Sequence, residues 1–170
     1  APVPGAHHGY RMATTALALS GLIAANDSRP EAIAAVEKCD KWMATALPRL
    51  KRAEGTSIYN NWGHAYGLRA LVSLAERPGV SAEKVAQYKE LAEEQINRLK
   101  LYQDLDGGWG YLSLEQITAR PSRGSNAFMT ATVLLAVKEA HESLGVTLEQ
   151  SRIDKAVASI VRQRTADFAY

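Results

Sequence analysis

The sequence predicts an all-α protein of three helical hairpins, and three observations carry that prediction. A mostly apolar helical segment is followed three times by a turn and then by an amphipathic, charged segment. The prolines fall at the boundaries of these segments rather than inside them. The apolar segments also align with one another, as TTALALSGL from Thr14, AYGLRALVSL from Ala65 and TATVLLAVKEA from Thr130. Their spacing of ~50 to 65 residues exceeds a tetratricopeptide unit and marks an internal repeat. A helix that is apolar on most faces has to be surrounded. The expected solution is an inner layer of three apolar helices and an outer layer of three amphipathic ones.

The first hairpin is expected over about 10–48, after an extended lead-in rich in Pro, Gly and His. Its apolar helix runs Arg11 to Ala25 and is buried on most sides. Ser28 and Pro30 supply an N-cap and a first-turn residue for the next helix. That helix, Glu31 to about Leu47, repeats Ile33, Val36, Cys39, Trp42 (with Met43) and Ala46 at three- and four-residue spacing. The second hairpin, about 59–101, pairs a helix from Gly63 to Glu76 with a long charged one from Ala82, capped by Ser81. Val85, Tyr88, Leu91 or Ala92, Ile96 and Leu99 form its buried stripe. The third hairpin, about 125–166, opens with Ser125 or Asn126 as cap and closes its first helix at Gly145. Thr147 with Gln150 makes a capping box for the last helix, which runs to Arg164 and carries Ile153, Ala156, Ile160 and Val161.

At 170 residues the chain suits one domain with a sizeable core. A net charge of +2, from 20 basic and 18 acidic residues mixed along the chain, gives no basic stripe for nucleic acid. The single cysteine, Cys39, excludes an intramolecular disulfide and a multi-cysteine zinc site. No apolar run reaches the ~20 residues that span a bilayer. The opening APVPGAHHGY is no signal peptide; it fits equally the remnant of one or the edge of a longer chain, and the compartment stays open.

The most informative stretch is Leu99–Leu112, where Asp104-Leu105-Asp106-Gly107-Gly108 ends a helix and leads into Trp109 and Tyr111. Glycine accepts the positive φ that such a turn needs, and the aromatics give it apolar bulk to dock with. The pattern Gln103-x-x-x-Gly107-x-Trp109 resembles the QW motif of squalene and oxidosqualene cyclases, and related turns occur in protein prenyltransferase β subunits. Together with the inner–outer hairpin pattern, the chain resembles half of the α/α toroid shared by terpenoid cyclases, prenyltransferase β subunits and complement thioester domains. The resemblance implies a structural role for Gln103, Asp106, Gly107 and Trp109. It also implies a fragment, a homodimer completing the ring, or an open arc.

The chemistry that the resemblance would imply lacks its residues. The acidic Asp-x-Asp-Asp quartet of the cyclases has its nearest match in Asp104-Leu105-Asp106-Gly107, inside the turn and without the last carboxylate. Prenyltransferase zinc is held by Asp, Cys and His, whereas Cys39-Asp40 lies on an outer helix with no histidine near it in sequence. The thioester Cys-Gly-Glu-Gln is absent. No catalytic residue, metal ligand or cofactor site is therefore assigned.

Polar and aromatic residues instead precede each apolar helix. Parallel inner helices would gather Tyr10, Asn61, Trp62, His64, Arg123 and Asn126 on one rim, suited to an anionic or isoprenoid ligand or a peptide. The competing reading makes them helix caps and loop polars with no shared task. A zinc site from His7, His8 and His64 is weaker still, because adjacent histidines in a lead-in are usually solvated. The expected function is a non-catalytic binding or scaffold domain of this repeat type. The alternative is half of an isoprenoid-handling cyclase or transferase whose catalytic residues lie in other sequence.

Overall fold

A computed structural model describes residues 4–50, 61–110 and 124–164, with backbone alone for 4–7. Six α-helices account for nearly all of it: α1 Pro4–Ala24, α2 Pro30–Ala46, α3 Asn61–Ala75, α4 Ala82–Tyr102, α5 Ala127–Leu144 and α6 Gln150–Arg162. A single 3₁₀ turn, Leu47–Arg49, follows α2, and there is no strand among the described residues. The all-α class holds. Helix α1 begins earlier than expected, at Pro4, so most of the proline- and glycine-rich lead-in is helical. Pro4 occupies the first position, where the missing N–H costs nothing.

Helix α3 is the centre of the molecule. It packs against α1 on one side, α5 on the other and α4 behind, while α2 covers α1 and α6 covers α5. The inner helices run parallel. Trp62 near the start of α3 meets Phe128 at the start of α5, and Arg69 further along meets Glu139 further along. Ser73 on α3 likewise pairs with Ser20 late in α1. The core is Met12, Ala16 and Leu19 of α1, Leu68, Leu71 and Leu74 of α3, and Val133, Ala136 and Ala140 of α5, backed by Met43, Tyr88, Ile96 and Leu99. Gly67 brings the 3₁₀ turn close. A Cβ there would stand 2.7 Å from a methyl of Leu47, a contact that would force the side chain to move.

The outer helices are stitched by polar groups. Asp40 of α2, almost buried, accepts from the Tyr88 hydroxyl at 2.9 Å and from Lys84 Nζ at 3.3 Å, both on α4. Burial first, then the bond to the Asp40 carboxylate, pushes the Tyr88 phenol up to about 12. Lys100 of α4 pairs with Glu149 at the start of α6 at 3.0 Å.

The Gln103–Gly110 turn locks α4, α5 and α6 together. Trp109, with no exposed surface, donates Nε1–H to the Leu99 carbonyl at 2.8 Å and its backbone N–H to Thr130 Oγ1 of α5 at 3.0 Å. Gln103 Nε2 donates to the Gly107 carbonyl at 2.7 Å and to the Arg152 carbonyl of α6 at 3.0 Å, while its Oε1 accepts from Arg152 at 2.8 Å. Asp106 accepts from the Gly108 N–H at 3.2 Å and from Ser125 Oγ at 2.7 Å, and its carbonyl accepts from Arg162. Gly107 has φ of +95°, and a Cβ there would lie 2.6 Å from the Lys155 carbonyl oxygen. Only glycine fits both demands.

Capping follows the sequence in part. Ser81 and Asn126 accept from Lys84 N–H and Met129 N–H, at 3.2 and 2.7 Å, and Gly145 closes α5 in the left-handed region at φ +67°. Ser28 and Thr147 do not cap. The N-caps of α2 and α6 are Arg29 and Glu149, neither with a side-chain cap bond. In the first case Asp27 takes the Arg29 N–H at 3.0 Å and its guanidinium as well, so the turn is organised one residue earlier. Helix α6 ends at Arg162, short of Arg164.

Candidate functional site: the uncovered face of the inner helices

Within α3 only Trp62, Tyr66, Arg69, Ser73 and the terminal Ala75 are partly exposed; every other residue is buried. Residues 62, 66, 69 and 73 are spaced four, three and four apart, so they form one stripe along the helix. It is the stripe that α1, α4 and α5 leave open. Its neighbours continue it. On α5, Phe128 and Leu135 stand 65% and 54% exposed, seven residues apart; on α1, Tyr10 and Leu17 stand 49% and 46% exposed with the same spacing.

Direct contacts join the α3 stripe to α5 and to α1. The Trp62 ring stacks on Tyr66 with centroids 5.4 Å apart and meets Phe128 at 5.1 Å, tilted by 56°. Such offset and tilted pairs add to the apolar burial they provide. Halfway along, Arg69 forms a two-bond pair with Glu139, at 2.7 and 2.9 Å. The Glu139 hydrogen bond holds the Arg69 guanidinium protonated more firmly than usual. At the far end Ser73 reaches Ser20 at 3.4 Å. The face is thus aromatic and apolar at the N-terminal end, neutralised by an ion pair in the middle and lightly polar beyond.

The expected rim residues are divided by this arrangement. Tyr10 and Trp62 belong to the uncovered face. Asn61 and His64 have no exposed surface and point into the protein. Asn61 donates to the Gly110 carbonyl, and His64 Nδ1 lies 2.7 Å from Gln95 Oε1. Burial, outweighing the Gln95 hydrogen bond, pushes His64 down to about 4, so the imidazole is neutral at pH 7. Its Nε2 has no hydrogen-bond partner among the described residues, and the Tyr102 ring lies 5.5 Å away. Asn126 is the α5 cap, and Arg123 lies outside the described residues. His64 therefore does not reach a rim with His8; the lead-in reading for His7 and His8 gives way to helix. Among the described residues no group of three His, Cys, Asp or Glu is placed to hold a metal ion.

Two helices that read as apolar on most faces, α1 and α5, thus carry an exposed apolar stripe. The sequence held one signal for it. Arg69 is the one charge in the otherwise apolar α3, and a charge at such a position marks a stripe that water or a partner can reach. Cys39, expected on the buried stripe of α2, is half-buried and packs on the core edge. Among the described residues no helix is long and apolar enough to cross a membrane. Comparison with family models, with characterised proteins and with solved structures found no match to this chain.

Proposed function

We propose that the chain is a non-catalytic binding or scaffold domain of the prenyltransferase- and terpene-cyclase-like repeat type, whose uncovered inner face takes an apolar occupant. One observation carries this reading. Tyr10, Leu17, Phe128 and Leu135, all large and about half exposed or more, line one face of three parallel helices beside the Trp62–Tyr66 stack. Apolar side chains scattered singly need no explanation, whereas a contiguous group of them marks a surface that binds. The Arg69–Glu139 pair supports the same reading, because it removes net charge from the middle of the face. An isoprenoid chain, a second copy of the chain or the apolar side of another protein fits such a surface.

The test uses farnesol, an isoprenoid alcohol without a phosphate. Trp109 is buried, so in a Trp42→Phe background the fluorescence response reports Trp62. A saturable change that disappears in Phe128→Glu/Leu135→Glu is the expected result. A response absent in the parent, or unchanged in the double variant, would refute the proposal. Turnover of a prenyl diphosphate or of squalene by the same chain would move the reading to the enzyme class.

A further inference from the structure

A second concavity lies at the opposite end of the inner helices. The last turns of α1 and α3, the first half of α2 and the turn after α3 enclose a cleft of about 670 Å³. That volume is in the range of small-molecule sites, which run from roughly 300 to 1,000 Å³. Apart from Ser20 and Ser73, which border both, its residues are not those of the inner face. Its floor is aliphatic: Leu22, Ile23 and Val36, with Ile33 at the side. Ile33 was expected to be buried on the α2 stripe, yet it stands 49% exposed on the cleft wall.

The mouth is acidic. Glu37 of α2 and Glu76 at the end of α3 both line it, and neither makes an ion pair or a side-chain hydrogen bond among the described residues. The third carboxylate there, Asp27, is already taken by Arg29 at 2.5 Å. The one lining cation among the described residues, Arg77, turns its Nε back to the Leu74 carbonyl at 3.3 Å. The C-terminal ends of α1 and α3, at Ala24 and Ala75, add the partial negative charge of their last carbonyls. The α2 N-terminus offers the opposite sign, but Glu31 in its own first turn answers it. An aliphatic floor below two uncommitted carboxylates specifies a ligand with an apolar chain and one positive head.

We infer that this cleft is a binding site for a small aliphatic ammonium compound, its chain lying on Leu22, Ile23, Ile33 and Val36 and its head between Glu37 and Glu76. The recognition has two separable parts. The floor removes methylene groups from water whatever the head carries. The carboxylates discriminate by charge, and at an exposed mouth that discrimination is modest and weakens with salt.

The experiment titrates the ¹⁵N-labelled chain with hexylammonium, hexanol and hexanoate, three probes with the same carbon count. Saturable amide shifts at residues 22–23 and 33–37 are expected for hexylammonium, with binding about fivefold or more tighter than for hexanoate. Glu37→Gln/Glu76→Gln, at two exposed positions that leave helicity unchanged by circular dichroism, is expected to erase that preference while hexanol binding stays as it was. Ile33→Ser is expected to weaken all three probes together. Equal binding of hexanoate and hexylammonium, a preference that survives the double variant, or shifts that map elsewhere would each overturn the assignment.

Discussion

Replacing Gln103 by alanine tests whether the Gln103–Trp109 turn is what holds α6 to the rest of the protein. The Gln103 side chain, 6% exposed, makes three hydrogen bonds, two donated to carbonyls of Gly107 and Arg152 and one accepted from the Arg152 guanidinium. A neutral bond of this kind contributes about 1 kcal/mol net and one to a charged group about 2, so the loss amounts to about 4 kcal/mol. Relaxation of Arg152 toward water recovers part of it. The Arg152 side chain is 38% exposed, and a remaining loss of about 3 kcal/mol is expected. Urea unfolding measures this, with Gln150→Ala as the control. Among the described residues the Gln150 side chain bonds Asp154 alone, on the surface of the same helix, at 2.8 Å, and its loss is expected to cost under about 0.5 kcal/mol. Amide exchange in the variant should rise in α6 before it rises in α3. A Gln103→Ala loss of less than about 1 kcal/mol, or exchange that rises uniformly, would refute the claim that this turn anchors α6.

Other outcomes follow from the same packing. Gly107→Ala combines positive φ with a Cβ set against the Lys155 backbone, and should cost about 2 to 4 kcal/mol in the same urea assay, more than Gly79→Ala, whose Cβ meets nothing. Tyr88→Phe removes the shorter of the two bonds to Asp40 and should cost about 1 to 2 kcal/mol, while Lys84→Ala costs less because that side chain is 44% exposed and its bond is longer. His64 is held near 4 in the folded chain against 6.5 unfolded, so between these values the unfolded state binds the extra proton. Stability should therefore fall by on the order of 3 kcal/mol as pH drops from 6.5 to 4 and then level off, a component that His64→Gln removes from a pH series of melting curves.

The repeat and the turn were both readable because each rests on local chemistry. A Gly-Gly pair after two acids ends a helix in any context; Gln103 and Asp106 bond across to α6 and Trp109 to α5, while Gly107 lies against the Lys155 backbone. The uncovered face was not readable in the same way. The Ala- and Leu-rich runs of α1 and α5 have no polar stripe to show which side faces outward, so Leu17, Phe128 and Leu135 read as core. Sequence proximity also misled at the rim. Asn61, Trp62 and His64 are neighbours in the chain, but a 100° step per residue sends Trp62 to the open face and His64 to Gln95 behind it. The Ser28 cap failed because the adjacent Asp27 takes the Arg29 N–H, and α6 starts two residues beyond Thr147, at a Glu149 N-cap with no side-chain bond.

The most direct measurement of the proposed binding surface is native mass spectrometry of the chain, alone and with farnesol, beside Phe128→Glu/Leu135→Glu. The account predicts a farnesol adduct or a second copy on the parent chain and neither on the double variant. A parent that stays a bare monomer at every farnesol concentration, or a double variant that keeps the adduct, would contradict it.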